Sequence, residues 1–170
     1  MKTRDVTFLG LCVALALILS YVESLLPPLV PVPGVKAGLA NVVILYVLCR
    51  RGWKAAGAVS LVRLLLSAAL FTGFGPFFYS LTGAAVSLIG SALLQKTGRF
   101  SPVGVSVLGG VLHNLGQVAL AALVLESGYV LYYLPVLVLS GTLAGVLVGL
   151  LTGWVLRLTP PAGRHLPGGR

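Results

Sequence analysis

His113-Asn114-Leu115-Gly116-Gln117 lies in the middle of an apolar run, residues 102–125, that reads PVGVSVLGGVLHNLGQVALAALVL. A run of this length meets the requirement of about 20 residues for a helix that crosses the hydrocarbon of a bilayer. At 100° per residue His113, Asn114 and Gln117 share one face, while Val111, Leu115, Val118 and Leu120 cover much of the rest. In lipid such side chains point into a bundle or a wet cavity, and ionisable groups among them are candidates for function. His113 therefore reads in two ways, as a residue that meets a substrate or as one that hydrogen-bonds a neighbouring helix.

The rest of the chain has the same character. Of 170 residues 58% are hydrophobic and 9% charged, with a mean hydropathy of +1.05, which is the composition of an integral membrane protein. Six crossings would use nearly all of a single domain at residues 1–158, leaving little for a soluble catalytic domain. The net charge of +9 comes from basic residues scattered between apolar runs, with no aromatic-basic patch. It points to membrane orientation and away from nucleic acid. Cys12 and Cys49 sit in apolar segments without metal-ligand spacing and read as packing residues.

In chain order, hydropathy predicts helices at 6–26, 35–49, 55–72, 77–95, 102–125 and 129–158, an all-α bundle of six transmembrane helices. The first lacks a small-x-small cleavage site and is kept as a helix rather than a signal peptide. Between the first two lie Pro27, Pro28, Pro31 and Pro33, which cannot continue a helix. The second helix is short, so part of that stretch is expected to dip into the membrane against protein or cavity water. Gly73-Phe74-Gly75-Pro76 reads as a turn, and residues 159–170 as a polar, disordered cytoplasmic tail.

Loop charges give an independent count. An even number of crossings collects Lys2, Arg4, Arg50, Arg51, Lys54, Lys96, Arg99, Arg157, Arg164 and Arg170 on one side, and Lys36 alone on the other. Both termini are then cytoplasmic, in the plasma membrane. Arg63 is the one remaining cation. It lies about 14 Å along the third helix, and His113 roughly 16 to 18 Å along the fifth, at 1.5 Å per residue. Gln117, Asn41, Lys36 and Glu23 fall further out, so the polar groups cluster from the midplane outward, the profile of a pocket open to the outside.

A charge at helix centre costs about 2.5 to 3.5 kcal/mol on insertion scales, so Arg63 needs something to offset it. Two readings fit: a structural pair with Glu23, or a counter-charge for an anionic substrate. Small residues add a separate pattern. Gly141, Gly145, Gly149 and Gly153 recur every fourth residue, and Cys12, Ala16 and Ser20 form a similar row with Gly10 and Ala14 beside it. Such rows let helices approach closely, either within the monomer or against a partner.

Lys36-Ala37-Gly38-Leu39-Ala40-Asn41, Arg63 with Thr72-Gly73, Ser80-Leu81-Thr82-Gly83, His113-Asn114-Leu115-Gly116-Gln117 and Tyr133-Leu134-Pro135 together resemble the Gx transporter family, also labelled heptaprenyl diphosphate synthase component I. The resemblance covers about residues 5–158. That family is similar to the S components of energy-coupling-factor transporters, six-helix proteins that capture a micronutrient from outside and work with a transmembrane T protein and two ATPases. The resemblance implies docking through an Ala-x-x-x-Ala motif on the first helix, where this chain has Cys12, Ala16 and Ser20.

Prenyl diphosphate chemistry needs clustered carboxylates to hold magnesium. This chain has three acids, Asp5, Glu23 and Glu126, none adjacent. It has no phosphate-cradling glycine-lysine loop and no Ser/His/Asp constellation, so neither ATP hydrolysis nor covalent catalysis is encoded. The expectation is a non-enzymatic, substrate-binding membrane subunit without cofactor or metal. Its substrate site comprises Arg63, His113, Asn114, Gln117, Asn41, Lys36 and Glu23, and its docking rows comprise Cys12, Ala16 and Ser20 and Gly145 and Gly149. Its partners are a small anionic molecule, membrane lipid, an energy-coupling membrane protein and ATPases. The alternatives are an accessory component of heptaprenyl diphosphate synthesis and a structural subunit of a larger membrane complex.

The charge asymmetry makes a direct prediction. A single cysteine placed at Gly98 should react with an impermeant maleimide only after the cell is opened, and one at Ser127 should react from outside. External labelling at position 98 refutes the topology.

Overall fold

A computed structural model of the chain describes residues 3–26 and 38–159. The proline stretch at 27–33, Lys36 and the tail from residue 160 lie outside the described residues. All regular structure within them is helical: α1 Thr3–Leu25, α2 Leu39–Arg51, α3 Trp53–Ser67, α4 Phe74–Lys96, α5 Pro102–Val124 and α6 Leu134–Leu158. A π-helical turn, Ala68–Thr72, extends α3, and a 3-10 turn, Gly128–Tyr133, leads into α6.

Five segments are long and apolar enough to cross a membrane, Thr3–Leu25, Trp53–Thr72, Phe74–Lys96, Pro102–Val124 and Gly128–Leu158, so this is a multi-pass membrane protein. The 13 residues of α2 extend about 20 Å at 1.5 Å each, short of a hydrocarbon core of about 30 Å. The six helices are present, but α2 alone does not span.

Two boundaries differ from expectation for local reasons. Gly73, at φ 78°, makes the whole turn after α3 by itself, and α4 begins at Phe74. Pro76 falls inside the first turn of α4, where its missing N–H is no loss, so the expected four-residue turn is not needed. At the other end residues 129–133 stay in the 3-10 turn, and the α-helix starts beside Pro135. At the start of α5 the Ser101 hydroxyl accepts from the Gly104 N–H at 3.3 Å, with Pro102 at the first helical position.

The helices form two groups. Packing of α1, α2 and α3 on one another makes one, and α5 between α4 and α6 makes the other; they meet along α2 with α6 and α3 with α4. Polar bonds tie that seam. The Thr152 hydroxyl donates to the Val42 carbonyl at 3.3 Å, and the Arg50 guanidinium donates to the Leu156 carbonyl at 3.0 Å. The large aliphatic residues mostly face outward, as at Leu11, Leu139, Leu143 and Leu150, where lipid is as good a solvent for them as protein.

The small-residue rows turn inward, and this bears on the docking surfaces expected from sequence. Cys12 and Ala16 are buried in the core with Val43, Val47 and Val59, so they pack the monomer. On α6, an added Cβ at Gly145 would lie 2.6 Å from Val107 Cα, and one at Gly149 would lie 2.5 Å from Val103 Cα. Both glycines are in backbone contact with α5 and are not available to a partner. Spacing identified these rows as close-contact faces; Cys12, Ala16, Gly145 and Gly149 make that contact within the chain, whereas Gly10, Ala14 and Gly153 do not.

Overpacking a closed contact costs about 1 to 3 kcal/mol. Gly145→Ala should therefore lower the unfolding midpoint of the purified protein clearly. Gly153→Ala, where an added Cβ meets nothing within 4 Å, should leave it nearly unchanged.

Candidate ligand-binding site

Where the two helix groups meet they enclose a cavity of about 100 Å³ to which all six helices contribute. Glu23, Asn41, Arg63, His113, Asn114 and Gln117, six of the seven residues expected to bind substrate, line it. The seventh, Lys36, is outside the described residues. Helix periodicity explains the convergence: Arg63 with Ser67 on α3, and His113 with Gln117 on α5, are pairs four apart that project from one face.

Arg63 is the most costly group in this cavity and is buried. One guanidinium nitrogen donates to the Ser20 hydroxyl on α1 at 3.0 Å, while its Nε has no partner among the described residues. Of the two readings of Arg63, the pair with Glu23 is not a direct ion pair among the described residues, although the Glu23 charge acts on the guanidinium from further away. The Glu23 carboxylate instead accepts from the backbone N–H of Gly38, just before α2 begins. An acid at that position satisfies an orphan donor and suits the positive end of the helix dipole. Gly38 takes φ 75°, in the left-handed region, which presents its N–H to the carboxylate without a Cβ penalty. The one ion pair among the described residues is Arg51 with Asp5, at 2.7 Å, near the opposite end of α1.

The other candidates differ in how much hydrogen-bonding capacity they leave for a ligand. The Asn114 amide donates to the Leu137 carbonyl at 2.6 Å and to the Ser140 hydroxyl at 3.3 Å, so its nitrogen fastens α5 to α6. Gln117 is different, because its Oε1 is buried with no partner among the described residues. His113 lies against Gly83 of α4, where an added Cβ would come within 2.7 Å of the histidine carbonyl. Ser20, assigned by spacing to a docking row, proves to be the arginine's partner. Ser67, Thr72 and Ser80 also line the cavity and were not singled out as ligands. A signal for Ser67 existed, one turn beyond Arg63 on the same face.

The π-helical turn shapes one wall. Widening the helix at Ala68–Thr72 brings Phe71 and Thr72 to the cavity, with Phe71 edge-on to Tyr21 of α1 at 5.5 Å between ring centroids. Such turns occur often at functional sites. Among the described residues no group of three or more His, Cys, Asp or Glu side chains comes together that could hold a metal ion. What the cavity offers is one buried cation, the Glu23 carboxylate engaged with the Gly38 N–H, several neutral donors and acceptors, and aromatic walls.

A family model described as "Heptaprenyl diphosphate synthase component I" matches residues 12–155. No curated protein and no solved structure gives a significant match.

The capping role of Glu23 separates two substitutions. Glu23→Gln keeps an acceptor for the Gly38 N–H and should cost no more than about 1 kcal/mol of stability. Glu23→Ala leaves that donor unsatisfied and should cost about 1 to 3 kcal/mol. Equal, large losses in chemical denaturation would mean that the charge is needed chiefly to neutralise Arg63.

Proposed function

The chain belongs to the heptaprenyl diphosphate synthase component I family, and we propose that it is a substrate-binding membrane subunit that captures a small organic anion from outside the plasma membrane. The observation that carries this reading is Arg63, a buried guanidinium facing a cavity with no carboxylate in contact with it among the described residues. A carboxylate or phosphate entering that cavity would meet several N–H donors in a planar fork. Gln117, Asn41, His113 and Ser80 surround the same space and would orient the remainder of the ligand. Lys36, on the outer side in the topology expected from loop charge, would draw anions toward it.

The subunit binds and does not catalyse. Its three acids stand apart in the sequence, so no pair is placed to hold magnesium on a diphosphate. It also lacks a nucleotide-binding loop, so ATP-driven transport against a gradient needs a partner that supplies the ATPase. The family description favours a second reading, an accessory chain of a prenyl diphosphate synthase assembly.

Purification of the native protein in mild detergent, with mass spectrometry of bound small molecules and bound proteins, decides between them. The expected result is a retained organic anion in the wild type and its loss in Arg63→Leu at unchanged helical content. Coupling ATPases among the bound proteins would support uptake, whereas prenyl synthase chains with no retained anion would overturn it in favour of the accessory role.

A further inference from the structure

Beneath the first cavity is a second, of about 70 Å³, and the two share Asn41, Gly110, His113 and Ala144 as common lining. The inner chamber differs in chemistry. Ser60 of α3, Ser87 and Ser91 of α4 and Ser106 of α5 line it between aliphatic walls that include Leu45 and Leu88, and no Lys, Arg, Asp or Glu contributes. Three of those serines are more than nine-tenths buried.

Serine is common where membrane helices approach closely; what sets these serines apart is the space of about 70 Å³ that they line. A buried hydroxyl without a partner costs about 1 to 3 kcal/mol, so a hydroxyl-lined void calls for a hydrogen-bonding occupant. About 10 to 15 Å³ of such space suffices for one water, so this chamber has room for several waters or for a short chain of ligand atoms. Gly109 faces the serines from α5, and there an added Cβ would stand 2.6 Å from Ser91 Oγ and 3.2 Å from Ser87 Oγ. The absence of a side chain at Gly109 keeps that wall open. Ser91 also donates to the Val105 carbonyl at 3.4 Å, which aims the α4 hydroxyls toward α5.

We propose that this inner chamber is the second compartment of the ligand site, and that it holds the uncharged, hydrogen-bonding end of a small organic anion whose charged end is held by Arg63. The inference rests on the anion-binding reading of the outer cavity. It adds that the ligand is bipolar in a particular sense, charged at one end and neutral but polar at the other, and that it lies along the bundle past the neck at Asn41 and His113. A doubly charged ligand with anions at both ends is disfavoured, because no Lys or Arg lines the inner chamber and its one ionisable side chain, His113, is shared with the outer cavity.

Straight-chain carboxylic acids of two to eight carbons, each with a methyl or a hydroxyl at the far end, serve as graded probes for calorimetric titration of the purified full-length protein. Affinity should rise about fourfold per methylene buried. Among acids long enough to pass the neck, the hydroxyl-ended one should bind about fivefold tighter than its methyl-ended partner. Ser87→Ala with Ser106→Ala should erase that preference, and Ala84→Leu, which fills the inner chamber, should weaken the long acids at least tenfold while short acids change less than twofold. If long and short acids bind alike, or if Ala84→Leu leaves the long acids untouched, the inner compartment is refuted and the outer anion site stands. If no acid of any length binds the folded wild type, the reading of Arg63 itself fails, and the inner compartment with it.

Discussion

A helix in lipid gains nothing by hiding leucine from its surroundings, so the bundle must be held by close backbone approach and by hydrogen bonds between helices. Everything else in the architecture follows from that constraint. Leu11, Leu139, Leu143 and Leu150 face outward, while Gly83, Gly110, Gly116, Gly141, Gly145 and Gly149 sit where helices touch. The glycines of α6 bring its backbone against α5 at Gly110, Val107 and Val103, and Gly83 does the same for α4 at His113 and Gly116. With three helices so close, their side chains cannot fill the space toward α1, α2 and α3. The cavities lie there.

The same constraint explains the polar inventory. A hydrogen bond left unmade cannot be rescued by bulk water in the membrane, so each interior polar group either ties two helices or faces a void. Asn114 ties α5 to α6, Thr152 ties α6 to α2, and Arg50 closes the last turn of α6. Glu23 ties the end of α1 to the start of α2. Arg50, Arg63 and Gln117 each keep a buried polar atom that no described residue satisfies, and of these Arg63 and Gln117 line the larger cavity. Arg63 and Gln117 are thus the cavity-lining groups that keep hydrogen-bonding capacity no described residue uses.

Arg63 shows how that separation bears on function. A guanidinium at mid-helix is too costly to persist without compensation, and the carboxylate nearest to it in character, Glu23, is committed to a backbone N–H at the head of α2. The Ser20 hydroxyl adds a hydrogen bond to the guanidinium, and the Glu23 charge acts on it from beyond contact distance. An arginine so placed remains available to an anion, and the serine-lined chamber beyond His113 extends the available space without adding charge.

Much of this protein is determined by its sequence alone. Runs of about 20 apolar residues read as membrane helices, because a helix satisfies its backbone within the run itself; five such spans are found among the described residues where six crossings were expected, since α2 is too short. The polar face around His113, the outlying Arg63 and the small-residue rows are equally legible, since a 3.6-residue period assigns each side chain to a face. Periodicity does not say what that face meets. Only the tertiary structure decided that Cys12 and Ala16 pack against α2 and α3, that Gly145 and Gly149 are closed by α5, and that Ser20 accepts a hydrogen bond from Arg63. The same is true of Glu23, whose partner is the Gly38 N–H, and of the inner chamber, assembled from serines on three helices. The physical reason is that a helix's faces are a property of its own residues, whereas the partner of each face depends on how all six helices pack, and that packing is set by contacts between residues far apart in the chain.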